Sequence, residues 1–356
     1  VSMPIPGLEH FPVEESSSSS GEGITLLSFD LQPFKIPELH VSGKCRHISE
    51  FNKISHIGEG AHGTVYKVLD IKSGEVVALK KLKISKDELA CISIYCLREI
   101  TILKNLEHCN VTHFYGVAVG KSFESTYLIQ EYCPFSLSKV IDDEKAIFDQ
   151  SQIKGVMTQL FEGLAYVHSK HIIHRDLSVT NILFTSTGIL KISDFGFSRL
   201  TSNGEMTPNV VSRWYRAPEI LFGAKTYTSA IDMWAAGCIF AELIHRKPLF
   251  PADTDNDMIK LIIDTISSPN ETLWPGFTEL PLLKNYEIRQ QSSNRLRQIF
   301  RDQPKTCITL LHKLFLYNPE TRYSARSSLQ HTYFMDEPHA CSEAALVPTL
   351  QISETI

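Results

Sequence analysis

The chain has 356 residues, enough to bury a large core in two domains or in one two-lobed unit. Hydrophobic content of 43%, charged content of 21% and a net charge of -5 suit a soluble globular protein and argue against nucleic acid as the main partner. The cysteines form no C-x-x-C pair and no cysteine–histidine spacing typical of zinc, so reduced thiols in an intracellular protein are expected. No stretch is suited to membrane insertion. The best candidate, Ile231 to Ile244, is short and contains Asp232 and Glu242. The start at Val1 shows no signal-peptide pattern, and a truncated or processed start is compatible with it.

Residues 1–50 carry Pro4, Pro6, Pro12, Pro33 and Pro37 and a serine run from Ser16 to Ser20, with little helix or strand periodicity, and are expected to be a disordered extension. From Phe51 the pattern changes. Ile54–Ile57 and Thr64–Val68 read as strands around a glycine turn, and Glu75–Lys80 as a third strand after Ser73-Gly74. Leu89 to Leu106 has helical spacing, and two more strand-like runs follow, the second being Tyr127–Gln130. Beyond Glu131 helices dominate: Ser151–Ser169 has a stripe of Ile153, Val156, Met157, Leu160, Leu164 and Val167, and Ile231–Ile244 is apolar nearly all round. The last twenty or so residues read as a loose tail.

Gly58-Glu59-Gly60-Ala61-His62-Gly63 lies between two strands. A dinucleotide fingerprint would open a helix at this point; a glycine hairpin followed by a strand can instead lay its backbone over nucleotide phosphates. Val77-Ala78-Leu79-Lys80 puts an ammonium on the third strand, suited to α- and β-phosphates, and Glu99 on the next helix is placed to pair with it. Alone, each would read as a turn, a surface lysine and a solvated acid. His174-Arg175-Asp176 with Asn181 five residues after the aspartate is more specific: a carboxylate to orient a hydroxyl proton and an amide oxygen to bind magnesium. Asp194-Phe195-Gly196 adds a second hard oxygen ligand, and Ala217-Pro218-Glu219 closes the intervening loop.

With these motifs in order, the chain resembles a eukaryotic protein kinase from about Phe51 to Phe334. The implied fold is α+β and bilobal, with a small β-rich N-lobe over 51–131, a larger helical C-lobe over 132–334 and a tail over 335–356. Val210 to Glu219, with Arg216 before Ala217-Pro218-Glu219, resembles the cyclin-dependent kinases. Among these the chain is most similar to the cell cycle-related kinase subgroup, with the cyclin-dependent-kinase-activating kinase as the alternative. The resemblance implies an ATP site formed by the glycine loop (Gly58, Glu59, Gly60, Ala61, His62, Gly63) and an apolar wall of Ile57, Val65, Ala78 and Leu183. It also implies a hinge at Glu131 and Cys133, and Gln130 at the gatekeeper position. Asp176, Lys80 and Glu99 are the implied catalytic residues, and Asn181 and Asp194 the magnesium ligands. Thr207 would be an activating phosphosite in a cradle of Arg98, Arg175 and Arg199, phosphorylated by an upstream kinase, and Pro208 after it suits a proline-directed one. Arg216 would favour proline after the acceptor in protein substrates with Ser/Thr-Pro sites. A cyclin or cyclin-like activator, a cytoplasmic or nuclear location and a link to the cilium or the cell cycle are further implications.

Three positions depart from the family pattern. Ser178 stands where a lysine normally contacts the transferring phosphoryl group, so a weakly active or non-catalytic scaffold is a second reading. Ala61 and His62 replace the Thr-Tyr pair used for inhibitory phosphorylation, so that control is expected to be absent. Ser93 to Glu99 diverges from the best-known cyclin-binding helix.

Overall fold

Strand structure begins ahead of Phe51. The computed structural model describes residues 45–60, 63–82, 94–121, 125–201 and 212–352, with the backbone of three strands upstream. These are Glu9–His10 (β1), Ile24–Leu27 (β2) and Pro33–Ile36 (β3). β2 and β3 form an antiparallel hairpin with Ile24 opposite Ile36. The expectation of a disordered 1–50 is corrected at these positions and at Arg46–His47 (β4). Strands this short carry no readable period of two; pairing holds them.

The chain divides into two units, residues 1–93 with 114–132, and residues 94–113 with 133–356. In the first, Phe51–Gly60 (β5), Gly63–Asp70 (β6), Val76–Leu82 (β7), Phe114–Val119 (β8) and Thr126–Glu131 (β9) join β1 and β4 in one sheet. Its order is β1-β5-β6-β7-β9-β8-β4, antiparallel except where β4 runs parallel to β8. Alternate residues point to opposite faces, and Phe51, Val68, Val77, Leu79, Ala118, Tyr127 and Ile129 meet in the core. Arg46 ties the upstream segment to this sheet. Its guanidinium donates to Asp70 at 2.7 Å and to Glu50 at 2.9 Å and lies 4.3 Å from the centre of the Phe51 ring. The bond from Arg46, aided by the Lys72 and Ser73 N–H groups, holds the Asp70 carboxyl down at about 2. The compact unit therefore includes residues upstream of Phe51.

The second unit takes in Ile94–Lys104 (α1), which the sequence places with the strand-rich half. The turn after α1 explains this: Thr112 N–H donates to the Ile192 carbonyl at 3.0 Å, and Ile192 N–H to the Asn110 carbonyl at 2.9 Å. Phe135–Ser136 (β10), Leu137–Asp142 (α2) and Gln150–Ser169 (α3) follow. Asp149 and Gln152 form a reciprocal capping box at the start of α3, satisfying backbone donors that the first turn leaves open. Ile172–Ile173 (β11) pairs with Arg199–Leu200 (β14), and Ile182–Phe184 (β12) with Leu190–Ile192 (β13). Pro218–Leu221 (α4), Ala230–His245 (α5) and Asp255–Ile266 (α6) complete the part that carries the site. α5 is buried from Ala230 to Leu243, as its uniform hydrophobicity predicts. Its Trp234 stacks on Phe250 at 6.1 Å and meets Phe315 edge-on at 5.0 Å.

The segment read as a loose tail is docked. Leu346 and Leu350 are fully buried. Gln152 on α3 donates to the Ala345 carbonyl at 2.9 Å, and Cys341 N–H to the Ser151 carbonyl at 3.1 Å. Gly155 and Gly188 admit it, since a Cβ at Gly155 would meet the Cys341 sulfur at 2.9 Å and one at Gly188 the Glu343 carbonyl at 2.0 Å. A few apolar residues in a short segment give no periodicity, so the sequence does not show this docking. Among the described residues the cysteines are free, and no helix is long and apolar enough to cross a membrane. Cys91 lies outside those residues.

Candidate active site

The glycine loop is the end of the β5–β6 hairpin. Gly58 pairs with Val65, Glu59 with Thr64 and Gly60 with Gly63. Gly63 is required there: its φ is +145°, and a Cβ would meet the Lys81 carbonyl oxygen at 1.9 Å. Gly58 has open space around it. Ala61 and His62 lie outside the described residues. Ile57 is exposed on β5, and Val65 and Ala78 are half-buried on β6 and β7. Lys80 is buried on β7 between Val65 and Leu128. Glu131 ends β9 and Cys133 follows it; Gln130, half-buried on β9, has a side-chain nitrogen with no protein partner. All but Cys133 belong to the first unit, while the buried Glu99 lies on α1 in the second.

In the second unit the β12–β13 hairpin sets two ligand candidates at its open end. Ser193 donates to the Asn181 carbonyl through its N–H at 2.9 Å and its hydroxyl at 3.0 Å, which brings Asn181 alongside the residue preceding Asp194. Leu183 is half-buried on β12, opposite Lys191 and Ser136. The Asn181 amide nitrogen donates to the Asp176 carbonyl at 2.7 Å and to its Oδ2 at 3.2 Å. That leaves the amide oxygen as an acceptor for a hard cation. Asp194 has φ +61° and takes the Gly196 N–H at 3.2 Å on one oxygen. Among the described residues no three His, Cys, Asp or Glu side chains gather for a metal. One amide oxygen and one carboxylate fit a divalent ion that takes its other oxygens from phosphate and water.

Asp176 is held at both carboxylate oxygens. Oδ1 accepts the Ser212 N–H at 3.1 Å and the Ser212 hydroxyl at 3.2 Å, while Oδ2 accepts Asn181. Ser212 was not identified from the sequence; its only signal is its place directly before Arg213-Trp214-Tyr215-Arg216. The loop behind Asp176 hangs on Asp232, which accepts the His174 N–H at 2.9 Å and the Arg175 N–H at 3.0 Å and lies 2.8 Å from His168 Nε2. Burial alone would raise the Asp232 carboxyl, but the hydrogen bond and charge of His168, aided by His174 and Arg175, outweigh it and lower it. His174 also packs on Phe195 at 4.9 Å, linking this loop to Asp194-Phe195-Gly196.

Ser178 is buried, its hydroxyl 2.8 Å from that of Thr180. The charges of Arg199 and Arg98 reach Arg175: burial lowers the Arg175 pKa, and those two charges act in the same direction. Arg175 also sits 5.7 Å from the Tyr227 ring centre, with φ +70°. Thr207 lies outside the described residues. Arg216 donates to both oxygens of Asp255, at 2.9 and 3.1 Å. Glu219 forms a buried pair with Arg322 at 2.7 and 2.9 Å, a partner with no local sequence signal.

The protein kinase domain family matches residues 51–334. Cyclin-dependent kinase 10 of Homo sapiens is 42% identical over 318 residues, 89% of this chain and 88% of that protein. The chain belongs to the cyclin-dependent protein kinases. Cyclin-dependent kinase G-2 of Oryza sativa subsp. indica is 40% identical over 319 residues, 86% of this chain and 45% of that protein. Cyclin-dependent kinase 11A of Homo sapiens is 38% identical over 300 residues, 83% of this chain and 38% of that protein. None of these three carries the cell cycle-related kinase name that the sequence motifs suggest. The kinase is a serine/threonine protein kinase that acts on protein substrates and uses ATP with a divalent metal.

Proposed function

We propose that this kinase transfers the γ-phosphoryl group of magnesium–ATP to serine or threonine followed by proline, under control of a cyclin-type activator and of phosphorylation at Thr207. The observation that carries the reading is Asp176, fixed by Asn181 on one oxygen and Ser212 on the other. A carboxylate so oriented takes the proton of the acceptor hydroxyl, and most of the catalysis comes from position and charge. Lys80 neutralises the ATP phosphates. Asn181 and Asp194 would hold magnesium, which would supply further neutralisation of the transferring group. Arg98, Arg175 and Arg199 form a cationic group suited to a phosphate on Thr207. The cyclin assignment rests on the names of the relatives, and a role at the cilium or in the cell cycle, in cytoplasm or nucleus, rests on the resemblance alone.

A second reading, a slow or non-catalytic scaffold, draws on Ser178. Its hydroxyl faces Thr180 from a buried position and brings no charge. Magnesium-dependent transfer to Ser-Pro and Ala-substituted peptides by the purified chain separates the two readings, with Asp176→Asn as the control. Transfer at least a hundredfold above that control is expected. A wild-type rate equal to the control, with Thr207 phosphorylated and an activator supplied, would establish the scaffold.

A further inference from the structure

After its contact with Asp176 the chain is pinned at every residue of one short turn. Ser212 holds Asp176 Oδ1. Arg213 Nε donates to Asp255 Oδ1 at 3.1 Å, and its Nη1 donates to the Asp253 carbonyl. Trp214 Nε1 donates to the Ala252 carbonyl at 3.1 Å, and the Tyr215 hydroxyl donates to Glu242 at 2.7 Å. Arg216 then returns to Asp255. One carboxylate thus serves two guanidinium groups, one at the first residue and one just after the last residue of a single turn of 3-10 helix, Arg213–Tyr215.

We propose that Asp255 is a positioning residue for phosphoryl transfer: by holding Arg213 and Arg216 on one carboxylate, it fixes the turn that presents Ser212 to Asp176. This rests on the reading of Asp176 as the group that orients the acceptor hydroxyl. Three features favour Asp255 over an incidental surface pair. An isolated exposed pair contributes little, but here three charge-assisted hydrogen bonds from two cations share one acceptor. Without the carboxylate, two like charges would face each other across the turn. Asp255 also lies in the first turn of α6, a helix of 12 residues capped by Thr254, where the helix dipole favours an anion. The anchor is therefore built into a rigid element, and its reach to Asp176 passes through Arg213 and Ser212. Trp214 and Tyr215 keep their own bonds, so loss of Asp255 loosens the turn without releasing it.

The test uses the full chain with Asp255→Asn, Asp255→Glu and Asp257→Asn. Asp257 lies on the same helix turn and meets Thr254 and Lys260 rather than the arginines, so its variant controls for a general effect on α6. Amide exchange over residues 212–216 is measured together with steady-state kinetics. Asp255→Asn is expected to speed exchange at Ser212 about tenfold and lower kcat about tenfold, with the KM for ATP within about twofold. Asp255→Glu should recover most of both effects, and Asp257→Asn should match the wild type. Wild-type exchange at Ser212 in Asp255→Asn would overturn the proposal, as would an equal effect of Asp257→Asn. If the wild type transfers no faster than Asp176→Asn, the kinase activity fails as a reading. The exchange measurement still decides whether Asp255 holds the turn.

Discussion

Replacing Arg322 with methionine tests what anchors the end of the activation segment. Arg322 has no exposed side-chain surface and Glu219 has 3%. The guanidinium donates to Glu219 at 2.7 and 2.9 Å and to the carbonyls of Ala230 at 2.8 Å, Leu316 at 2.9 Å and Tyr317 at 3.2 Å. Methionine fills part of the volume but leaves a buried carboxylate and three carbonyls without this donor. The uncompensated charge dominates, and breaking a buried pair from one side costs about 3–5 kcal/mol. In a chain of this size that corresponds to a midpoint lowered by roughly 4–7 °C. Urea unfolding followed by tryptophan fluorescence suits the measurement, because Trp234 lies 5.2 Å from the Arg322 guanidinium carbon. The double variant Arg322→Met with Glu219→Gln removes the stranded charge and should regain about 2 kcal/mol. The reasoning is refuted if the single variant lies within about 1 kcal/mol of wild type, or if the double variant is no more stable than the single.

Two further outcomes follow from the site. Burial pushes the Glu242 carboxyl up to about 7 from an ordinary value of 4.5, against the opposing bond from Tyr215. The folded chain then binds more protons than the unfolded chain between those values, so this contribution to stability is full below pH 4.5 and lost as pH rises through 7. Glu242→Gln should flatten the dependence, the wild type losing on the order of 2 kcal/mol more between pH 5 and 7.5; parallel pH profiles of the urea midpoint would contradict it. Ser178→Lys restores a cation to the catalytic loop at the expense of the Ser178–Thr180 contact. A gain of about tenfold in kcat, with the KM for ATP nearly constant, is expected in peptide assays, and an unchanged kcat would show that this charge does not limit the reaction.

Much of the kinase was legible because its signals are local. The α3 stripe from Ile153 to Val167 repeats with the helix period, and the α5 run from Ile231 reads as buried because it lacks a polar face. The glycine hairpin was legible for the same reason, since Gly63 answers to a backbone angle and to a carbonyl of the adjacent strand. What was missed lacks such a period. Arg46 binds the sheet through one ion-pair cluster, and the segment from Cys341 to Leu350 docks through Gln152 and two leucines.

By itself the sequence determined the family and the two-part α+β organisation, and it put forward Asp176, Asn181, Asp194, Lys80 and the three arginines as site candidates. Those residues sit in motifs whose order and spacing follow from the chemistry of a nucleotide, a cation and a hydroxyl. Only the tertiary structure decided how they are held. Ser212 reaches Asp176 across 36 residues, Arg322 reaches Glu219 across 103, and Asp255 gathers Arg213 and Arg216 from a different helix. The physical reason is that a single polar side chain has the same local signature whether exposed or buried. Its partner is set by the path of the chain, which within the second unit the packing of helices such as α3 and α5 determines.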